Sequence, residues 1–229
     1  MNKGNNINYL VIALSHGKLF NSSLKLFKKL GIDLKIEEEK NRKLTFLDPE
    51  KEIKFIITRS KDNPTYVEYG AADIGIVGED VLLEENKDVY KLLDLKFGKC
   101  KMVLAVPEEK KLEKYDQTHG YRLKVATKYP AIAGNYFKEK GIYVELIKLY
   151  GSVELAPQVG LADAIVDIVS TGRTLKANKL VIKEEIMPLS AQFIVNRISY
   201  KTKHQRINEF LQKIKQIIAL ESTELEEED

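Results

Sequence analysis

The sequence predicts an α/β protein assembled from parallel βαβ units. Short apolar runs of strand length alternate with segments whose apolar residues recur at helical spacing. This alternation is typical of parallel strands that are joined by crossover helices. The 229 residues suit one large domain or two small ones, with enough chain to bury a substantial core. No internal repeat is evident in the sequence.

The composition argues against several classes of partner. The 37 basic and 34 acidic side chains leave a formal net charge of only +3, which does not indicate a nucleic-acid-binding surface. Cys100 is the only cysteine, so an intrachain disulfide and a cysteine-based zinc site are excluded. The apolar run at residues 9–14 is too short for a signal peptide or a membrane span. We therefore expect a cytoplasmic protein that binds neither nucleic acid nor membranes.

The first predicted strand, residues 8–14, leads into the polar turn Ser15-His16-Gly17-Lys18 and then into a helix that Gly31 closes. A strand, a glycine turn and a helix together form a candidate anion site. A glycine at such a turn is also commonplace without any function. Gly17 and Lys18 are therefore candidates for binding a phosphorylated ligand.

Two arginines flank the next predicted strands, residues 44–47 and 53–58. Arg42 precedes the first strand and Arg59 follows the second. A guanidinium group binds phosphate oxygens in a planar fork, so both are candidates for a polyphosphate. A solvent-exposed arginine without a ligand is the commoner alternative. A fourth strand is predicted at residues 71–78, and a helix that starts with acidic residues follows it. Gly78 and Asp80 therefore lie in a further turn between a strand and a helix.

The second half of the chain repeats the alternation, with strands predicted at 92–95, 100–106, 123–127 and 142–149. Lys101 and Lys128 could face a ligand cleft, but both are interpreted as surface residues by default. His119 and His204 have no second histidine or cysteine at metal-ligand spacing, so they are also assigned to the surface.

The most informative stretch is the strand at residues 164–169, which runs straight into Ser170-Thr-Gly-Arg-Thr174 and a short helix. Gly172 permits a close turn, and the backbone N–H groups of such a junction point at an anion. Asp167 interrupts the apolar strand, where a carboxylate can accept from sugar hydroxyls or hold Mg²⁺. The pattern predicts a phosphate, a ribose and a metal, although ordinary turn chemistry is the alternative. Further donors to the phosphate would be the side chains of Ser170, Thr171, Arg173 and Thr174.

The end of the chain predicts a long helix that begins at a capping box, Thr202 to Gln205, and carries an apolar stripe. Core packing is the simplest interpretation of the stripe, and a subunit interface is the alternative. The layout suggests two α/β lobes. Domain I comprises residues 1–97 with 184–229, and domain II comprises residues 98–183.

Several motifs together resemble the ATP phosphoribosyltransferase family. The pattern comprises Glu154, then Gly160-Leu-Ala162, Ile165, Asp167, Thr171-Gly172 and Thr174-Leu175. Residues 58–84 resemble the family as well. The departures are His16 where a lysine is usual, Ser60 where a proline is usual, and Asn63 where isoleucine or valine is usual. The resemblance covers residues 8–200 and matches the short form, which lacks a C-terminal regulatory domain.

This resemblance implies a two-lobed periplasmic binding protein-like (type II) fold with a central cleft. It also implies transfer of the phosphoribosyl group of phosphoribosyl pyrophosphate (PRPP) to N1 of the adenine of ATP, the first step of histidine biosynthesis. Pyrophosphate is released, Mg²⁺ assists, and no protein nucleophile is needed. A dimer of catalytic chains would assemble with a regulatory subunit similar to histidyl-tRNA synthetase. The alternatives are a non-catalytic cleft protein that binds a phosphorylated small molecule, and transfer from PRPP to a different base.

The resemblance also assigns the candidate residues to the two lobes. Mg²⁺ would be held through substrate phosphates, with Glu154 or Asp167 as candidate protein ligands, and Arg59 would assist catalysis electrostatically. In domain II, the PRPP site would comprise Glu154, Asp167, Ser170, Thr171, Gly172, Arg173 and Thr174. In domain I, the site for ATP and pyrophosphate would comprise Gly17, Lys18, Arg42, Arg59, Gly78 and Asp80.

Overall fold

The computed structural model of the chain describes residues 9–34, 43–109 and 122–226. The chain divides into two units, each with its own sheet and core. Unit 1 comprises residues 1–98 and 190–229, and unit 2 comprises residues 99–189.

The helices and strands follow one another in the predicted α/β alternation. Unit 1 begins with β1 (Leu10–Ser15), α1 (Lys18–Lys29), β2 (Thr45–Asp48), β3 (Ile53–Thr58), α2 (Asn63–Glu68), β4 (Ile74–Gly78), α3 (Glu79–Glu85) and β5 (Tyr90–Asp94). Unit 2 contains β6 (Cys100–Pro107), β7 (Leu123–Thr127), α4 (Pro130–Glu139), β8 (Val144–Lys148), α5 (Leu155–Gln158), β9 (Ala164–Val169), α6 (Arg173–Ala177) and β10 (Leu180–Leu189). The chain returns to unit 1 with β11 (Ala191–Val195), α7 (Arg197–Thr202) and α8 (His204–Glu226).

The sheet of unit 1 has the strand order β2-β3-β1-β4-β11-β5. Strands β3, β1 and β4 are parallel, whereas β2 and β11 run antiparallel to their neighbours. Helices α1 and α8 cover one face, where the Phe27 ring lies 5.0 Å from that of Phe55 and 6.0 Å from that of Phe210. Helices α2 and α3 contribute Val67 and Val81 to the core on the other face. Parallel strands therefore lie between two helical layers, as such strands require.

The sheet of unit 2 has the order β10-β6-β9-β7-β8, and its strands β9, β7 and β8 are parallel. Strand β6 is antiparallel to β9, and β10 is antiparallel to β6. Helix α4 packs on one face through Ile132 and Phe137. Helices α5 and α6 pack on the opposite face through Ala156 and Leu175. The chain therefore leaves β7 and β9 toward opposite faces.

The two units share one topology. Without β2, unit 1 has the order β3-β1-β4-β11-β5, which corresponds to β8-β7-β9-β6-β10 in unit 2. A Gly-x-Ala-Asp turn precedes the third parallel strand in both units. Asp73 accepts a hydrogen bond from the main-chain N of Val11 at 2.8 Å, and Asp163 accepts one from that of Lys124 at 3.0 Å. The structure thus contains a duplication that the sequence did not reveal, because only a short tetrapeptide is shared.

The chain returns to unit 1 after Leu189, whereas the sequence analysis placed this crossing near residue 184. Residues 180–189 form one strand that pairs with β6 along its length, so they belong to unit 2. Strand β10 lies at the sheet edge, where Lys183, Glu184 and Glu185 can reach solvent. Its charges obscured the strand pattern in the sequence.

The predicted apolar stripe of the last helix is confirmed as core packing. Ile207, Phe210, Leu211 and Ile214 are all buried within unit 1. The predicted capping box is wrong, because Thr202 is the last residue of α7 and its Oγ1 donates to the carbonyl of Ile198 at 3.1 Å.

Candidate active site

The carboxyl edge of the unit 2 sheet brings three loops together. Strands β7, β8 and β9 are parallel, so the loops 128–129, 149–154 and 170–172 all leave from the same edge. The adjacent strands β7 and β9 send the chain to opposite faces of the sheet, to α4 and α6 respectively. Such a switch point opens a crevice at the carboxyl ends of the strands, which is the usual ligand position in open α/β sheets.

The loop that follows β9 has the geometry that the sequence predicted. Gly172 adopts φ +73°, a left-handed conformation that favours glycine, and lies immediately before α6. The main-chain N of Lys176 donates to the carbonyl of Gly172 at 3.0 Å, which fixes the loop to the first turn of the helix. Among the described residues, no hydrogen bond or ion pair engages the side chains of Ser170, Thr171, Arg173 and Thr174. All four residues are exposed, and only the glycine between them is half-buried. These donors are available to an anionic ligand.

The carboxylate of Asp167 lies three residues before this loop and is half-buried. Asp167 is paired with Val103 across the sheet, and its Oδ1 accepts from the main-chain N of Ile168 at 2.8 Å. Its neighbours at alternate positions, Ile165 and Val169, belong to the core on the α6 face. Because side chains alternate along a strand, the Asp167 carboxylate points to the α6 face too.

Two more charged residues leave from the carboxyl edge of unit 2. Glu154 lies immediately before α5 and is half-buried, and among the described residues its carboxylate has no ion-pair or hydrogen-bond partner. Lys128 directly follows β7 and is also half-buried. Its ammonium group likewise has no partner in the part of the chain that the structure describes. Lys128 was interpreted as a surface residue by default, with a cleft-facing position as the alternative. Its place directly after a central parallel strand favours that alternative and makes it an additional candidate. Lys101 pairs with Glu185 at 2.7 Å and is exposed, as predicted.

The sheet of unit 1 has a corresponding switch point. The chain leaves β1 for α1 on one face and β4 for α3 on the other. Gly17 adopts φ +91° immediately before α1, and Lys18 is the exposed first residue of this helix. Gly78 precedes α3 in an extended conformation, and the Asp80 carboxylate occupies the space that a Cβ atom at position 78 would need. A side chain at position 78 would therefore displace the Asp80 carboxylate from its present place.

Arg59 directly follows β3, another of the parallel strands of unit 1. Its carbonyl accepts from the main-chain N of Asp62 at 3.0 Å and from that of Asn63 at 3.1 Å, so its backbone is fixed. The guanidinium group is exposed, and within the described ranges it makes no ion pair. Ser60 Oγ donates to the carbonyl of His16 at 3.3 Å. The serine that stands in place of the usual proline therefore links the loop after β3 to the loop after β1.

The site candidate Arg42 and His119, which was assigned to the surface, both lie outside the described residues. His204 is exposed, and its Nε2 lies 2.8 Å from Nδ2 of Asn208. No cluster of three metal-ligating side chains occurs among the residues that the structure describes. The half-buried carboxylates of Asp167 and Glu154 suit a cation that arrives with substrate phosphates. No helix in the described ranges is long and apolar enough to cross a membrane.

Two α/β units, each with a glycine-containing loop at the switch point of its sheet, define a two-domain α/β protein. A family model described as ATP phosphoribosyltransferase matches residues 59–216. An ATP phosphoribosyltransferase of Syntrophotalea carbinolica is 50% identical over 211 residues, which cover 92% of this chain and 96% of that protein. The chain belongs to the ATP phosphoribosyltransferase family, and the predicted family is confirmed.

Two solved structures confirm the predicted fold class. The first is an ATP phosphoribosyl transferase (HisG:HisZ) complex from Thermotoga maritima, with 35% identity and a TM-score of 0.78 over 93% of this chain and 99% of that one. The second is the periplasmic aliphatic sulphonate binding protein SsuA from Escherichia coli, with a TM-score of 0.59 over 96% of this chain and 71% of that one. The second is only 14% identical, so it shows a shared fold alone.

Proposed function

We propose that this chain transfers the phosphoribosyl group of PRPP to N1 of the adenine of ATP and releases pyrophosphate, the first step of histidine biosynthesis. The observation that carries the proposal is the loop after β9, with Gly172 in a left-handed turn and Asp167 three residues before Ser170. The loop lies in a chain whose relatives of similar length are ATP phosphoribosyltransferases.

Unit 2 is the proposed PRPP-binding domain. The hydroxyls and backbone N–H groups of residues 170–174 would hold the 5-phosphate, and Arg173 would add positive charge. Asp167 would accept hydrogen bonds from the ribose hydroxyls. Glu154, at the same sheet edge, would steady the ribose or a divalent ion, for which we propose Mg²⁺.

Unit 1 is the proposed domain for ATP and pyrophosphate. Arg59 and Lys18 are exposed cations at the carboxyl ends of β3 and β1 and would bind phosphate oxygens. The turns at Gly17 and at Gly78 with Asp80 would line the nucleotide. Arg42 is also proposed for this site on the basis of the family resemblance alone.

The reaction needs positioning and charge neutralisation rather than a protein nucleophile. The N1 atom of adenine forms a bond to C1 of the ribose while the bond from C1 to the pyrophosphate oxygen breaks, and the electron pair leaves with pyrophosphate. Arg59 would stabilise the negative charge that develops on the leaving group, and Asp167 would hold the sugar in line. Bound Mg²⁺ would supply further charge neutralisation on the phosphates.

A separate regulatory subunit is part of the proposal. The structural neighbour from Thermotoga maritima is a complex of two kinds of chain, HisG and HisZ. We infer that this chain likewise forms a hetero-oligomer, with dimers of catalytic chains and a partner similar to histidyl-tRNA synthetase. A cytoplasmic location accompanies the proposal, because both substrates are cytoplasmic metabolites.

Mass spectrometry tests the proposed reaction directly. The purified chain, with and without a regulatory subunit, is incubated with ATP, PRPP, Mg²⁺ and a pyrophosphatase, and the phosphoribosyl adduct of ATP is measured. We expect the adduct to form, and to be lost in Asp167→Asn and strongly reduced in Thr174→Ala. Unchanged turnover in both variants would contradict the site assignment. A chain that binds PRPP but forms no adduct with the subunit present would be a binding protein instead.

A further inference from the structure

The buried hydroxyl of Thr127 joins two parts of the unit 2 site. Thr127 is the last residue of β7 and is fully buried. Its Oγ1 donates to the carbonyl of Val166 on β9 at 2.7 Å and accepts from the main-chain N of Tyr129 at 2.9 Å. One side chain therefore connects the loop after β7 to the strand that carries Asp167.

This connection occurs where the regular sheet hydrogen bonds end. Strands β7 and β9 are in register from Val125 with Ala164 up to Thr127 with Val166, and beyond this point the chain turns from β7 into α4. The Val166 carbonyl belongs to the same peptide group as the main-chain N of Asp167. The Thr127 hydroxyl therefore fixes the orientation of the peptide group on which Asp167 stands.

The second hydrogen bond of the Thr127 hydroxyl fixes the loop that follows β7. Tyr129 immediately precedes α4, and its side chain is only 4% exposed within the unit 2 core. With Thr127 in the strand and the Tyr129 amide bound to the Thr127 hydroxyl, the backbone of Lys128 between them is held on both sides. One buried group thus links the backbone segments that carry Lys128 and Asp167.

Unit 1 contains a related connection at its own switch point. The buried Ser15, at the end of β1, donates from Oγ to the carbonyl of Ile76 on β4 at 3.0 Å. Ile76 lies three residues after Asp73, and Val166 lies three residues after Asp163, so the two accepting carbonyls correspond in the duplicated topology. A hydroxyl bridge at both switch points indicates a role in arranging the loops there.

We propose that Thr127 is a positioning residue for PRPP, which sets the arrangement of Asp167 and Lys128 without touching the substrate. This inference rests on the proposed function. A misplacement of about 1 Å can reduce a rate by about 100-fold, so the loss of this bridge has a measurable kinetic effect.

The test compares Thr127→Val, which keeps the shape but removes the hydroxyl, with Thr127→Ser, which keeps the hydroxyl. Ser23→Ala is the matched control, because it removes an equally buried hydroxyl that donates to Leu19 within α1. Steady-state kinetics with PRPP and ATP varied separately are combined with calorimetric binding of PRPP in the presence of Mg²⁺. We expect Thr127→Val to raise KM and Kd for PRPP about tenfold or more while KM for ATP stays within about twofold. We expect Thr127→Ser and Ser23→Ala to stay near wild type.

The outcomes separate this inference from the proposed function. A purely structural role would lower the active fraction, and so kcat, without a change in KM or Kd for PRPP, which would overturn the inference. Equal impairment in Thr127→Ser and Thr127→Val would overturn it too. If the wild-type chain binds PRPP but forms no adduct, the proposed transfer fails, while weaker PRPP binding in Thr127→Val alone still supports the positioning role. If the wild-type chain does not bind PRPP, both fail.

Discussion

The Nζ atom of Lys203 lies 2.8 Å from Oδ2 of Asp73, and this ion pair ties the junction of α7 and α8 to the start of β4. The two side chains are only 20% and 6% exposed. Asp73 also accepts from Ser199 Oγ at 2.6 Å and from the main-chain N of Val11 at 2.8 Å. Both oxygens of this buried carboxylate therefore accept hydrogen bonds within unit 1.

Removal of this cation should destabilise unit 1. We expect Lys203→Met to lower the free energy of unfolding by about 3 kcal/mol, because Asp73 would remain buried with an uncompensated charge. Urea denaturation measures the change. The control is Lys201→Met, two residues earlier, where the lysine is exposed and a change within about 0.5 kcal/mol is expected. A similar small loss for Lys203→Met would show that the pair contributes little.

The amide of Asn63 should reduce the stability of unit 1. Asn63 is completely buried, and neither Oδ1 nor Nδ2 has a hydrogen-bond partner among the described residues. We expect Asn63→Val to raise the free energy of unfolding by about 1–3 kcal/mol, because the unsatisfied polar group is removed. Asn135→Val, at an exposed position of α4, is the control and should give no gain. A less stable Asn63→Val would contradict a destabilising role of the buried amide.

The left-handed glycine of the loop after β9 should affect KM for PRPP as well as the stability of the fold. Gly172 has φ +73° and Gly160 has φ +71°, and a Cβ atom at either position would meet no atom within 4 Å. Each Gly→Ala variant should therefore lose about 1 kcal/mol of stability from backbone strain alone. Only Gly172→Ala should raise KM for PRPP, because Gly160 lies in the turn before β9, at the opposite end of that strand. Equal KM values in the two variants would contradict the phosphate assignment.

Arg59 should contribute to turnover without contributing to stability. Because its guanidinium has no partner among the described residues, Arg59→Gln should leave the thermal midpoint unchanged. We expect kcat/KM to fall about 10- to 100-fold, since a hydrogen bond to a charged group contributes about 1.5–3 kcal/mol. Lys25→Gln, an exposed cation on α1, is the control and should keep wild-type kinetics. Wild-type kinetics in Arg59→Gln would remove Arg59 from the site.

The carboxylate of Asp94 should make unit 1 more stable near neutral pH than in acid. Burial raises its pKa, but hydrogen bonds from Lys96 and Ser190 outweigh burial, and the net result is a pKa below the ordinary value of 3.8. A lowered pKa adds stability above the pKa of the unfolded chain, and this stability is lost as the pH falls through the folded pKa.

Thermal melts of wild type and Asp94→Asn at pH 7 and pH 3 measure this effect. At pH 7 the wild type should be more stable than Asp94→Asn by at most about 1 kcal/mol, because the carboxylate is partly exposed. This difference between the two proteins should shrink at pH 3. A constant difference for Asp94→Asn would exclude its carboxylate as the cause.

Local patterns predicted most of the fold and the core of the site. Strand β9 and the turn at Gly172 could be read directly, because a buried parallel strand is an uninterrupted apolar run and a left-handed turn demands glycine. Strand β10 was missed because its edge position tolerates charges. The capping box at Thr202 failed because the short helix α7 was not predicted, and Thr202 ends that helix instead of preceding the last one.

The sequence by itself determined the α/β alternation, the family and the glycine turn at residues 170–174, because each shows in residues that are close together in the chain. The tertiary structure alone decided that Lys128 lies beside β9, that Thr127 holds Val166, and that the two units repeat one topology. The Thr127 and Val166 groups are 39 residues apart, and those of Asp73 and Lys203 are 130 apart. Such contacts depend on which strands become neighbours in the sheet, which no local pattern specifies.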